Sequence, residues 1–196
     1  MGALDSEALR IGQLFEKVTQ GYFSFVTVLE ILRDERSNNL LPEVLPGEII
    51  PVGQVFNNEG FGITFDFRHF LNAAKSDPFF LSEFEQSWLR GGIILLADEL
   101  DKNNYFDRAP ELELIRHIRN GIAHGNHFNI TKPQQLQKYP ANNHLAWIKQ
   151  ELIEITPQCH GQKVLFDFIS PINLVNLLYA IGLYLIRKGN GDDTRP

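Results

Sequence analysis

The chain has 196 residues, 43% of them apolar, with 24 acidic and 18 basic side chains and a formal charge of −6. This composition excludes a chain too polar to bury a core, and the length suits one domain rather than two. The single cysteine, Cys159, excludes an intrachain disulfide and a thiolate-rich zinc site, and it fits a reducing cytoplasm. The N-terminal MGALDSEALRIGQLF is acidic where a secretion signal is basic and has no continuous apolar run, so a cytoplasmic protein is expected.

In chain order, apolar residues at Leu14, Val18, Phe25, Leu29 and Leu32 recur at helical spacing and predict a helix over 6–36, with Ser6 as N-cap and a weak point at Gly21. Residues 37–62 are rich in Pro, Gly and Asn and read as a long loop able to hold short strands. A short helix follows over 66–74. Asp77-Pro78 then opens a longer helix through SEFEQSWLRGGIILLADELDK, where Gly91-Gly92 costs helix stability unless it lets a neighbouring backbone approach.

Pro110 suits the first turn of the next helix and Gly125 its end, with Leu114, Ile115, Ile118 and Ile122 as the apolar stripe. A short helix is predicted at 145–149. The run LIEITPQCHGQKVLFDF reads as a β-hairpin turning at Pro157 and His160-Gly161. The apolar stretch PINLVNLLYAIGLYLI, 171–186, carries Asn173 and Asn176 and falls short of the ~20 residues that span a bilayer, so it reads as a buried helix with no membrane role. Residues 189–196 read as a disordered tail.

The acidic balance argues against phosphate binding overall, but its distribution is uneven. From Leu114 to Gln150 there is no Asp or Glu, while Arg116, Arg119, Lys132, Lys138 and Lys149 give +5 and leave −11 for the rest. Four of the six histidines, His117, His124, His127 and His144, lie in the same window. An anion site on an acidic protein is therefore expected there, beside the simpler reading of a solvated basic face.

Within it stands Arg119-Asn120-Gly121-Ile122-Ala123-His124. A guanidinium offers a planar fork of donors to phosphate, and an imidazole moves protons near neutral pH. Together they suffice for RNA cleavage without metal: the imidazole deprotonates a ribose 2′-hydroxyl, which attacks phosphorus while arginine stabilises the developing charge. Asn120 is placed to position phosphate or hydroxyl. Residues five apart on a helix differ by about 140° in direction, so either the helix ends near Ala123 or a second subunit completes the site.

Structural alternatives stand beside these roles. His124 also suits a helix C-cap, and Arg119 a salt bridge with Asp98 or Glu99. Arg116 is within helical reach of Asn120, and with His117 and His127 forms the candidate substrate-binding set. No cofactor is expected. His127 three residues after His124 invites a metal, but no acid or cysteine completes a ligand set. Cys159 beside His160 is no nucleophile–base pair on adjacency alone.

On Arg119-Asn120 and His124 the chain resembles the HEPN-domain proteins, helical bundles whose ribonuclease members carry arginine, a polar residue, a short spacer and histidine. RHIRNGIAHGNHF and VLFDFISPINLVNLL are similar to a plasmid-borne bacterial subgroup. The resemblance implies a mainly α fold, an antiparallel helical bundle over 1–188, here with the 37–62 loop insertion and a small C-terminal β-hairpin. It implies metal-independent endoribonuclease activity with Arg119, Asn120 and His124 as catalytic residues. It further implies a homodimer formed through the motif helices and roles in toxin–antitoxin or defence systems, with RNA as substrate and an antitoxin protein as a partner. The alternative is a noncatalytic HEPN-like module that binds a nucleotide, RNA or protein through the same cleft.

Overall fold

The computed structural model describes residues 4–36, 52–77, 79–144 and 151–192. Over these residues the chain is mainly helical: α1 (Ser6–Arg33), the strands β1 (Val52–Phe56) and β2 (Gly62–Asp66), α2 (Phe67–Ser76), α3 (Phe80–Lys102), α4 (Pro110–Ala123), α5 (Gln134–Lys138) and α6 (Pro171–Gly189). Length alone points to one domain over 1–188. The chain's contacts divide it into two compact units, residues 1–22 with 86–196 and residues 23–85, and α1 and α3 contribute residues to both. Among the described residues no helix is long and apolar enough to cross a membrane.

The larger unit is built on α4 and α6, which pack together, with α1 and α3 beside them. Its core holds Ile11 and Phe15 of α1, Ile93 and Leu96 of α3, Ile115 and Ile118 of α4, and Leu174 and Leu177 of α6. Each such side chain contributes about 1.5–3 kcal/mol on burial. α1 starts on Asp5, whose Oδ1 accepts from the Ala8 amide at 3.0 Å, so the cap is Asp5 rather than Ser6. Both types cap well, and the i to i+3 geometry selects the earlier one.

The helix also runs through Gly21 without a break. A Cβ there would lie 3.0 Å from the Trp88 indole, so this glycine makes room for a ring. Of the two glycines in α3, Gly92 lets Val18 approach, to 3.1 Å from where a Cβ would stand, while Gly91 faces open space.

α1 and α6 cross closely at glycines. A Cβ on Gly12 would meet the Gly182 carbonyl and the Ile186 amide, both at 2.8 Å, and one on Gly182 would meet the Phe15 Cβ at 2.9 Å. Two of the three atoms nearest Gly12 are backbone, which cannot swing aside; the third is the Ile186 Cγ1, also at 2.8 Å. Gly12→Ala is therefore expected to lose about 1–3 kcal/mol to overpacking, despite the better helix propensity of alanine. A urea midpoint equal to or above that of the wild type would show that the crossing yields.

In the smaller unit, β1 and β2 pair antiparallel with Val55 opposite Ile63. Residues 37–51, most of the expected loop, lie outside the described residues, as does the short helix expected at 145–149. The expected C-terminal hairpin is absent among the described residues. The segment forms a 3-10 turn at Pro157–Cys159, where Thr156 and Cys159 cap each other's backbone.

Each arm then pairs elsewhere. Ile155 donates to the Ala141 carbonyl and Asn143 to that of Ile153, while Val164 donates to Asn126 and Phe128 to Gln162. Period-two alternation specified extended backbone but not its partner. At the start of the expected tail, Asp192 accepts from Arg187 at 2.7 Å, and 193–196 lie outside the described residues.

Candidate active site

α4 opens on Pro110 at N1, and Asp107 Oδ1 accepts from the Ala109 amide at 3.0 Å just before it. Its inward face is Leu112, Leu114, Ile115, Ile118 and Ile122, which fixes Asn120 and His124 on the outward side. Gly121 lies on the buried face because a Cβ would stand 2.5 Å from the Val164 methyl. Its carbonyl accepts from the amides of both His124 and His127, which closes the helix end.

The helix stops at Ala123. His124 is the C-cap (φ −99°, ψ 38°), and Gly125 and Asn126 follow with φ of 79° and 65°. Left-handed backbone of this kind favours Gly and is tolerated by Asn. Asn126 is held there by both ends: its carbonyl accepts from Val164 and its Oδ1 from the Leu165 amide at 3.0 Å. Sequence reasoning missed this anchor, although the Gly-Asn pair after the histidine carries the signal for it.

Arg119 is half-buried and reaches across to α3. Its Nε and Nη2 both donate to Asp98 Oδ1, at 3.0 and 2.7 Å, and Nη1 donates to Asn120 Oδ1 at 3.4 Å. Asp98 thus clamps one edge of the guanidinium, and Asn120 meets the other. Asn120 is exposed and stands four residues before exposed His124, on the same side of the helix. The window free of acid in sequence is therefore not free of acid in space, because α3 supplies a carboxylate.

The three further candidates are placed differently. Arg116 is bound to Glu113, which Arg108 also holds at 3.0 Å, so its charge belongs to a structural ion pair rather than to an open anion site. Glu113 is fully buried, a role the sequence signals only by an acid set inside an apolar stripe. His127 is exposed, and its Nδ1 lies 2.8 Å from the Gly125 carbonyl. A carbonyl only accepts, so Nδ1 is the donor in this contact. Cys159 is buried beside Thr156, and the neighbouring His160 accepts from the Ile130 amide at 3.0 Å.

His117 is half-buried, and desolvation first, then the Arg116 charge, hold its pKa below the ordinary histidine value against the pull of Glu113. It is neutral at pH 7 and supplies no fixed charge for phosphate. A depressed histidine contributes full stability above the unfolded pKa of about 6.5, and that contribution falls as pH drops from there toward the folded value. The urea midpoint is expected to fall between pH 7.5 and 5.5, and His117→Gln to flatten that fall; an unchanged slope in the variant would assign it to other groups.

Among the described residues no group of three or more His, Cys, Asp or Glu side chains is gathered as a metal site would require. Comparison with family models, curated proteins and solved structures gave no match. The functional reading therefore rests on the residues at the end of α4.

Proposed function

We propose that the chain is a metal-independent endoribonuclease of the HEPN type, acting as a dimeric toxin or defence effector with an antitoxin partner. His124 takes the proton from a ribose 2′-hydroxyl. The 2′-oxygen attacks phosphorus, and the 5′-oxygen leaves with a proton returned by the imidazole. The products are a 2′,3′-cyclic phosphate and a 5′-hydroxyl. Arg119 stabilises the charge on the equatorial oxygens, and Asn120 positions the phosphate.

The observation that carries this reading is the end of α4 at Ala123. It takes His124 off the helical path four residues after Asn120, which takes a hydrogen bond from Arg119. Asp98 fixes the guanidinium through two N–H groups and Asn120 takes a third, which leaves two of five donors for a phosphate. A pre-oriented arginine acts with little reorganisation in the reaction.

One observation favours the noncatalytic alternative: the Arg119 charge is already matched by Asp98. Incubation with mixed RNA in excess chelator separates the two readings. Cleavage that resists the chelator and leaves 2′,3′-cyclic ends supports the enzyme, and RNA binding without cleavage supports the module. Monomer alone in light scattering at micromolar concentration would remove the dimer.

A further inference from the structure

The charge of the chain is not shared between its two units. Residues 23–85 hold four basic and ten acidic side chains, a formal −6, so the rest of the chain is balanced. Two of those four basic residues, Arg33 and Arg36, are neutralised by Glu30 and Asp34 within the same unit. The same 63 residues contain ten of the fifteen phenylalanines. An acidic stretch this rich in phenylalanine is unusual as a solvated surface.

The hairpin concentrates both properties. It has no Lys or Arg between Val52 and Asp66, and its charges are Glu59 and Asp66. Its tip is well defined: Asn57 Oδ1 accepts from the amides of Glu59 and Phe61 at 3.0 and 2.9 Å, the Asn57 amide donates to the Phe61 carbonyl, and Gly60 takes φ 83°. This turn presents Phe61 and Ile63 on one face at 74 and 75% exposure, with Phe56, 60% exposed, on the other face. Two-stranded ribbons gain little stability in water unless their apolar face is covered, and natural edges usually carry lysine to discourage pairing. Here the apolar groups are outside and the lysine is missing.

We infer that the smaller unit docks a basic protein segment with an apolar face, seated on the Phe61–Ile63 face at the tip of the hairpin. Charge selects this occupant. Nucleic acid and anionic lipid are repelled by a surface of the same sign. A second copy laying the same face against this one would bring two −6 units within a Debye length. A cationic amphipathic segment meets both the phenylalanines and the carboxylates. The inference is independent of the ribonuclease reading, since no residue of the α4 site takes part.

The test uses the full chain and a fluorescein-labelled amphipathic Leu/Lys peptide of about 18 residues, long enough to form a helix on binding. A Leu/Glu peptide and a Ser/Lys peptide of equal charge are the controls. Anisotropy is expected to show the Leu/Lys peptide binding about tenfold or more tightly than either control, and more weakly as salt is raised. The combined variant Phe61→Ser, Ile63→Ser is expected to lose about tenfold in affinity or more with its circular dichroism unchanged. Phe61→Ser alone tests the same contact should the combined variant fold poorly. Equal binding by the Ser/Lys peptide, or full binding by the folded variants, overturns the inference. So does a dimer in light scattering that the combined variant dissolves, or preferential binding to anionic vesicles.

Discussion

His124→Ala is expected to slow RNA cleavage by about 10²–10⁴-fold, the usual loss when a positioned general base is removed. Arg119→Ala is expected to cost about 10²–10³-fold, as for removal of one donor to a developing anion. Both are measured as single-turnover rates in excess chelator. Because proton transfer and charge stabilisation serve one transition state, the double variant is expected to be no slower than the slower single variant. Asp98→Asn separates the clamp from the chemistry. It keeps the shape but removes the charge that holds Nε and Nη2. RNA is then expected to bind more tightly, because the guanidinium is no longer neutralised, while kcat falls because its orientation is looser. A purely structural Asp98 would lower the melting temperature and leave that split unseen. Folded variants of His124 and Arg119 that cleave like the wild type would remove the catalytic assignment.

How much of this was legible in the sequence varied with the physics behind each element. α4 and α6 were readable because an apolar stripe at helical period, an initial proline and a closing glycine or basic turn all agree. The end of the motif helix was readable for the same reason, since Gly125 marks a left-handed turn. The expected hairpin at 152–168 failed because alternation says that a strand is half-buried, not which backbone it faces. Ile153 and Val164 found partners at Asn143 and Asn126 instead.

Charge was the least legible property. An acid-free window suggested an open anion site, yet Asp98 comes in from α3 and Arg116 is tied to Glu113 three residues before it. Linear charge counts cannot see across a helix pair. Asp98 was among the partners that residue chemistry allowed for Arg119, but choosing it over Glu99 needed the structure, in which Glu99 is taken by Arg10.

The double variant Arg108→Ala, Arg116→Ala is expected to destabilise the fold by about 3–5 kcal/mol, a large part of a typical domain stability. Glu113 is fully buried, and these two arginines are the charges that compensate it. Arg108 is exposed and Arg116 half-buried, so either can hydrate when the carboxylate is removed. The carboxylate cannot hydrate when they are removed. Each single arginine variant leaves one partner in place and is expected to lose less, about 1.5–3 kcal/mol for the hydrogen bond to a charged group. Adding Glu113→Met to the double variant is expected to restore most of the urea midpoint, because an apolar side chain in the same space carries no desolvation cost. The same series tests what Arg116 is for. If its charge serves Glu113, Arg116→Ala shifts the midpoint and leaves KM for RNA unchanged, whereas a rise in KM at equal stability would return Arg116 to the substrate site.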